Sequence, residues 1–364
     1  MAEDVHPPDL KSYTPEMAVL GGAVLGSGGG GRLEAGLCIS QEIADMTGVA
    51  LRDAADYSPH DEFVILSLFR VSGLEGLLQC PPPHHQAIEL LQKNTGMKIA
   101  GIIPGGHGAV DSLVGWIEAQ RSDIPLVDAV LNPFLHPSPL KALIQQKMPS
   151  AFAFVGDATQ GDKLKLFSPS ATPLLLQILY QHALAERISI AVAIGPISNA
   201  QLHLWGRMGR IRQELELGRA MIEKAEDEGE KTVAVIKEQM PESFHLFCVI
   251  TDIHSKGNGE HRYLHILLRD EENRFVEIFF WHRYIALSVQ RQQIAFFPDG
   301  IAILGIKGTP LGGNELGEGQ EVFVVVMPSQ VRAQQHVYEE LSQIGGLDFS
   351  ATLMSSIQRK PNLS

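Results

Sequence analysis

Apolar residues fall into two rhythms along this chain. Before about residue 200, short and nearly all-apolar runs alternate with segments of helical spacing. The runs at 62–68 (EFVILSL), 98–103, 125–131, 151–155 and 188–194 have the length and content of buried strands. Between them, 84–94 and 109–120 carry helical patterns. Thr14-Pro15-Glu16 offers an N-cap and a first-turn proline for a helix running to about Leu25. A second helix is expected over 33–46, stopped at Gly48. Strands alternating with helices predict an α/β layer with a largely parallel sheet.

Beyond residue 198 the rhythm changes twice. Met208, Ile211, Leu215, Ile222 and Ala225 recur at helical spacing among charges, which predicts one long amphipathic helix ending near Gly229 at the domain junction. From Phe244 the period becomes two. Phe244, Leu246, Cys248 and Ile250 alternate with His245, Phe247 and Val249. Turn sequences SKGNGE and DEEN lead into 263–268 and 274–287, and a last helix is expected from about Gln330. The expected architecture is an α/β domain over 1–170, followed by a β-rich domain over 171–364 that is entered through a strand and the long helix.

Composition narrows the function classes. The 364 residues suit two domains, and 45% hydrophobic content is ample for a core. A formal net charge of -13 opposes nucleic acid and anionic lipid as general partners, while leaving room for a local positive pocket. MAEDVHPPDLKSY holds no apolar block of the kind a signal peptide needs, and the apolar run at 188–197 is too short to span a bilayer. Cys38, Cys80 and Cys248 form no CxxC pair, so a disulfide framework or thiolate zinc site is not expected. A cytoplasmic location is the expectation.

Chemistry concentrates in two glycine loops. LGSGGGGRLEAG places Ser27, Gly28, Gly29, Gly30, Gly31 and Arg32 before a helix, where unhindered amides can form an anion nest or let another backbone come close. Gly26, Gly28 and Gly31 match GxGxxG in spacing. The preceding segment reads as a helix rather than a strand, which argues against a nicotinamide or flavin site. No Lys-Ser or Lys-Thr follows, so a P-loop is also excluded. In KIAGIIPGGHGAVDS a strand leads through Gly105 and Gly106 to His107 and then a helix, which places a titratable base beside backbone donors. Asp128 sits in an apolar strand and needs a partner. It could orient a histidine, join a metal site or cap a loop. His136 follows in the NPFLHPSP loop. His107, Asp128 and His136 are the candidate ligands should a divalent metal be present, and no HExxH or HxH motif supplies another set.

The order of these features resembles one family. AVLGSGGGGRLEAG is similar to the N-terminal glycine motif of the S-methyl-thiohydantoin desulfurase-like proteins. IIPGGHGAVDSLVGWIEAQRSDIPLVDA, GRAMIEKAEDEGE and FFPDGIAILGIKGTPLGGNELGEGQEVFVVV continue the resemblance over most of the chain. It implies an α/β domain followed by a β-rich domain. It also implies a link to hydantoins, thiohydantoins and related cyclic amides, since some relatives are joined to hydantoinase or oxoprolinase components. This chain departs from the pattern at His107, where the family usually has Asn. It also departs after Asp128, where Ala129-Val130 replaces a second acid, and in NPFLHPSP and FFWHRYIAL.

The expected activity is hydrolytic opening or desulfuration of a small ring. His107 would be base or ligand, Asp128 its orienter and His136 a further polar contact. Ser27, the amides of Gly28 to Gly31 and of Gly105 and Gly106, and Arg32 would hold the substrate. The competing reading is a non-catalytic binder of a small anion, or a subunit of a homo-oligomer or larger assembly.

Overall fold

The computed structural model describes residues 13–46, 49–70, 83–131, 150–156, 164–170, 172–225, 228–257, 263–330 and 335–342. Helix α1 (Pro15–Leu25) begins where expected, with the Thr14 side chain accepting from the Met17 amide, and α2 spans Leu33–Glu42. The first sheet takes β1 (Leu51–Arg52), β2 (Glu62–Phe69), β3 (Ile99–Pro104), β4 (Leu126–Val127), β6 (Ala151–Gly156), β7 (Leu164–Ser168) and β8 (Ile190–Ser198), in the order β1-β4-β3-β2-β8-β6-β7. β1, β4, β3 and β2 are parallel. β8 runs against both β2 and β6, so β6 points the same way as β2, and β7 opposes β6. The sheet is therefore mixed and largely parallel. It extends to Ser198, past residue 170.

Helices α3 (His84–Thr95) and α4 (Asp111–Ser122) follow β2 and β3 as the periodicity predicts. Phe63, Ile65, Ile103, Val192 and Ile194 are fully buried on one face of the sheet, and Val64, Leu66, Ile102 and Ala193 on the other. Both faces are covered, which is why these strands read as unbroken apolar runs. Helix α5 (Pro173–Glu186), capped by Thr172, packs Leu176, Leu179 and Ala183 on the first of these faces. Each fully buried leucine there is worth about 2 kcal/mol.

Two sequence expectations change. The single helix over 198–230 is three elements: α6 (Asn199–Trp205), β9 (Gly206–Met208) and α7 (Arg210–Lys224). Gly209, at φ +73, makes the turn into α7, and its amide donates to the Asp128 carbonyl at 2.8 Å. β9 pairs with β5 (Ala129–Leu131) in a separate two-stranded sheet. Backbone partners available only in three dimensions thus override helical periodicity. Gly229 opens α8 (Gly229–Gln239) instead of closing a helix, since its amide donates to Ile306. In addition, α2 stops at Glu42, short of the expected 46.

The second sheet is wholly antiparallel, as the two-residue period predicts. It comprises β10 (Phe244–Lys256), β11 (Tyr263–Asp270), β12 (Phe275–Trp281), β13 (Arg283–Val289), β14 (Gln292–Phe296), β15 (Gly300–Gly305), β16 (Pro310–Leu311) and β17 (Glu321–Met327). Its order is β14-β13-β12-β11-β10-β17-β15-β16. The run over 274–287 divides at His282, whose φ of +59 turns β12 into β13. Helix α9 (Gln335–Ser342) begins later than Gln330, and its Val337 and Leu341 join Phe279, Trp281 and Phe297 in a small outer cluster. Helices α7 and α8 pack on this sheet through Leu217, Met221, Val233 and Ile236, which meet Leu304, Phe323 and Val325. Among the described residues no helix is long and apolar enough to cross a membrane.

His84 fixes α3 to the sheet, with Nε2 donating to the Ser67 carbonyl at 2.8 Å. Burial pulls its proton affinity down to about 4, with the Ser67 bond opposing. The unfolded chain therefore binds the extra proton between pH 6.5 and 4. The stabilisation is complete above pH 6.5 and is lost as pH falls through 4. The unfolding free energy of the wild type, read from denaturant titrations, should fall over this window by on the order of 3 kcal/mol. The His84→Gln variant should show a flatter profile. Equal slopes in the two proteins would contradict the assignment.

Candidate functional site

Two pairs of glycines decide how the elements meet. Helices α1 and α7 cross so closely that a Cβ on Gly21 would overlap the Glu214 carbonyl, and one on Gly218 would overlap the Met17 carbonyl. Gly30 of the first loop lies against Gly108 of the second, and neither has room for a side chain. The Gly30 carbonyl accepts from the amides of Val110 (2.9 Å) and Asp111 (3.1 Å). The first glycine loop thus closes the start of α4 with its own carbonyl. On its other side Gly28 lies against the Tyr284 ring, and the Tyr284 amide donates to the Ser27 carbonyl.

A cavity of about 150 Å³ opens between the two glycine loops and the β-rich domain. Gly28 to Gly31, Arg32, Gly106, His107 and Asp111 line it from the N-terminal side, with Ser67 to Arg70 from the end of β2. Phe280, His282, Arg283 and Gly312 to Glu315 line it from the C-terminal side. Among the described residues the amides of Gly28, Gly30 and Gly31 have no acceptor. Gly28 and Gly30 have φ of +71 and +78. Loops of this kind turn successive N–H groups toward one concavity.

Among the described residues the cavity is lined by Arg32, Arg70 and Arg283 against Asp111 and Glu315. Arg70 donates to Asp111 at 2.6 Å through Nη2, and its Nη1 is buried without a partner. Burial pulls the Arg283 guanidinium down to about 10, with Asp111 opposing, and it remains cationic at neutral pH. Arg32 is half-exposed and lies 4.0 Å from Glu315.

His107 is 2% exposed, and its Nδ1 is 2.5 Å from Oε2 of Glu214, itself 1% exposed. Its Nε2 is buried without a partner. Burial, reinforced by Arg210 and Arg283, holds the imidazole well below its usual proton affinity. Burial also raises the Glu214 carboxyl well above 4.5, against a hydrogen bond from Ser112 and the charge of Arg210. Both groups are driven toward their neutral forms. The pair holds one proton between Nδ1 and Oε2, and losing it leaves a carboxylate behind the imidazole.

The predicted site residues separate into two groups. Gly28, Gly29, Gly30, Gly31, Arg32, Gly106 and His107 meet at the cavity. Gly105 does not line it, and its amide donates to the Leu66 carbonyl at 2.7 Å. Ser27 is buried and its Oγ accepts from the Ile301 amide at 3.2 Å. Asp128 is hydrogen-bonded to the Ile211 and Arg212 amides, each at 3.0 Å, with the Arg212 guanidinium 3.5 Å away. Of the three roles open to it, capping is the one its contacts fit: it holds the first turn of α7, the helix that carries Glu214. No hydrogen bond joins it to His107. His136 lies outside the described residues. Among the described residues no three His, Cys, Asp or Glu side chains converge as metal ligands.

Glu214 is the partner of His107 that pattern reading passes over. The signal was present, because Glu214 falls between Ile211 and Leu215 on the buried face of an amphipathic helix. A carboxylate at such a position needs a partner. Arg283 and Asp111 carried no comparable signal, since a strand-start arginine and a helix-start aspartate are common.

Two stability predictions follow from this geometry. Gly30→Ala forces a side chain into Gly108 at positive φ and should cost at least ~2 kcal/mol, read as a lowered urea midpoint. A neutral effect would mean that the loops do not meet. Asp128→Ala should cost about 1–2 kcal/mol through loss of the α7 cap. Unchanged thermal stability in that variant would remove its capping role.

The N-terminal domain model of the S-Me-THD-like family matches residues 16–131, and its C-terminal domain model matches 177–344. The fold is shared with a crystal structure of a protein from Chromobacterium violaceum, at TM-score 0.69 and 17% identity, covering 96% of this chain and 98% of that one. No curated protein matches. With both domain models matched in order over most of its length, the chain belongs to the S-methyl-thiohydantoin desulfurase-like family.

Proposed function

We propose that the cavity between the glycine loops hydrolyses a small cyclic amide of the hydantoin or thiohydantoin type. The observation that carries this reading is the buried His107–Glu214 pair on a cavity of about 150 Å³ lined by backbone amides and arginines. A space of that volume holds a ring the size of benzene, and a five-membered cyclic amide is of that size. Its exocyclic oxygen or sulfur would accept from the amides of Gly28, Gly30 and Gly31. Arg283 and Arg70 would balance charge that develops on it.

In the reactive form Glu214 is ionised, accepts the Nδ1 proton of His107 and leaves Nε2 as the base. Nε2 takes a proton from water as the water oxygen attacks the ring carbon. Collapse of the tetrahedral adduct breaks the ring C–N bond or the exocyclic C–S bond, and the departing nitrogen or sulfur receives the proton from His107. Asp128 serves this chemistry at one remove, by fixing α7 and with it Glu214.

The test is turnover of a panel of hydantoins, thiohydantoins and S-methyl derivatives, followed by mass spectrometry. His107→Ala and Glu214→Gln should each lower kcat/KM by 10²–10⁴-fold. In the wild type, kcat/KM should rise with pH as the raised Glu214 proton is lost, through one apparent pKa belonging to the pair. Full activity in His107→Ala would sink the proposal.

One observation favours binding without turnover: the His107 side chain is only 1% exposed. A ring bound unchanged by the wild type, with affinity lost in Arg283→Gln, would establish that reading instead.

A further inference from the structure

Gly108, which directly follows His107, is bonded twice to Ser112. Its carbonyl accepts from the Ser112 amide at 3.1 Å, and its amide donates to Ser112 Oγ at 3.2 Å. Ser112 is the second residue of α4 and is buried. A serine hydroxyl has one proton to give. Its oxygen already accepts from Gly108, so that proton is free for an acceptor, and Ser112 bonds the Glu214 carboxyl. Helix α1 closes this corner. A Cβ on Gly22 would come within 2.3 Å of Ser112 Oγ, and one on Gly21 would overlap the Glu214 carbonyl. Adjacent glycines of α1 thus fix the helices that carry Ser112 and Glu214 against one another.

We propose that Ser112 is a positioning residue for the His107–Glu214 pair: its hydroxyl donates to Glu214 and commits His107 to the Nδ1–H tautomer, with Nε2 bare. The donors then run in one direction, from the Gly108 amide to Ser112, and from Ser112 and His107 Nδ1 to Glu214. Donation to a carboxylate favours its ionised form. A protonated Glu214 would instead give its proton to Nδ1, and the neutral imidazole would carry its own on Nε2. Nε2 could then take no proton from water. That consequence for rate rests on the proposed function, whereas the tautomer does not.

The groups around the pair set the balance that Ser112 tips. Burial raises the Glu214 carboxyl, and Asp128, between β4 and β5, and Asp111 of α4 add to it. Ser112 and Arg210 of α7 oppose that shift. Burial, Arg210 and Arg283 of β13 together lower His107.

The test is nitrogen NMR of isotope-labelled histidines in the full chain, followed between about pH 5 and pH 10. The His107 signals are those missing in His107→Gln. In the wild type they should pass from the Nε2–H to the Nδ1–H tautomer as Glu214 loses its proton. In Ser112→Ala that midpoint should move up by about one unit. Ser112→Cys, whose thiol is a weaker donor, should move it the same way. For any ring that is turned over, kcat/KM in Ser112→Ala should fall at neutral pH and return to the wild-type plateau in alkali. A structural role alone would lower the plateau and leave the midpoint in place. An unmoved midpoint would overturn the inference. So would a wild type that keeps Nε2–H over the whole range, a result that needs no variant to fold. A moved midpoint without turnover of any ring would uphold the role of Ser112 and count against the proposed function instead.

Discussion

The structure depends on backbones that approach where no side chain can fit. The Gly21–Gly218 crossing brings α7 onto α1, and the Gly30–Gly108 contact brings the first glycine loop onto the second. Ordering so many glycines has a large entropic cost. That cost is offset by what the approach assembles. It closes the start of α4 with the Gly30 carbonyl and places Glu214 at His107. The glycine run is therefore first a joint between elements. Its free amides become a lining of the cavity only because the joint is closed.

Electrostatics then follow from burial. Burial disfavours the charged form of both the histidine and the glutamate; Arg210 and Arg283 further oppose the imidazolium, while Arg210 favours the carboxylate. The pair is left neutral with one titratable proton. Arg283 stands on β13 of the second domain and on the wall of the cavity. The cavity is consequently a property of the two domains together. The N-terminal glycine loops supply amides and a base, and the β-rich domain supplies a cation and the opposing wall.

The α/β rhythm, the antiparallel rhythm and the cap at Thr14 were all legible in the chain, because each depends on local periodicity or on residues within one turn. The break between Trp205 and Arg210 was not. Helical spacing continues through Met208 and Ile211, and only the pairing of β9 with β5 competes with it. The same limit applies to Asp128. An acid in an apolar strand announces that it has a partner, without naming α7 as that partner.

Sequence by itself determined the two-domain class, the family and the presence of His107 beside a glycine loop, since these rest on motif order and short-range pattern. Tertiary structure alone decided that Glu214 and not Asp128 meets His107, that Gly105 turns away from the cavity while Gly106 lines it, and that Arg283 lines the opposite wall. The physical reason is separation along the chain. His107 and Glu214 are 107 residues apart, and their contact is set by how closely helices without intervening side chains can pack. No periodicity along a single chain records that distance.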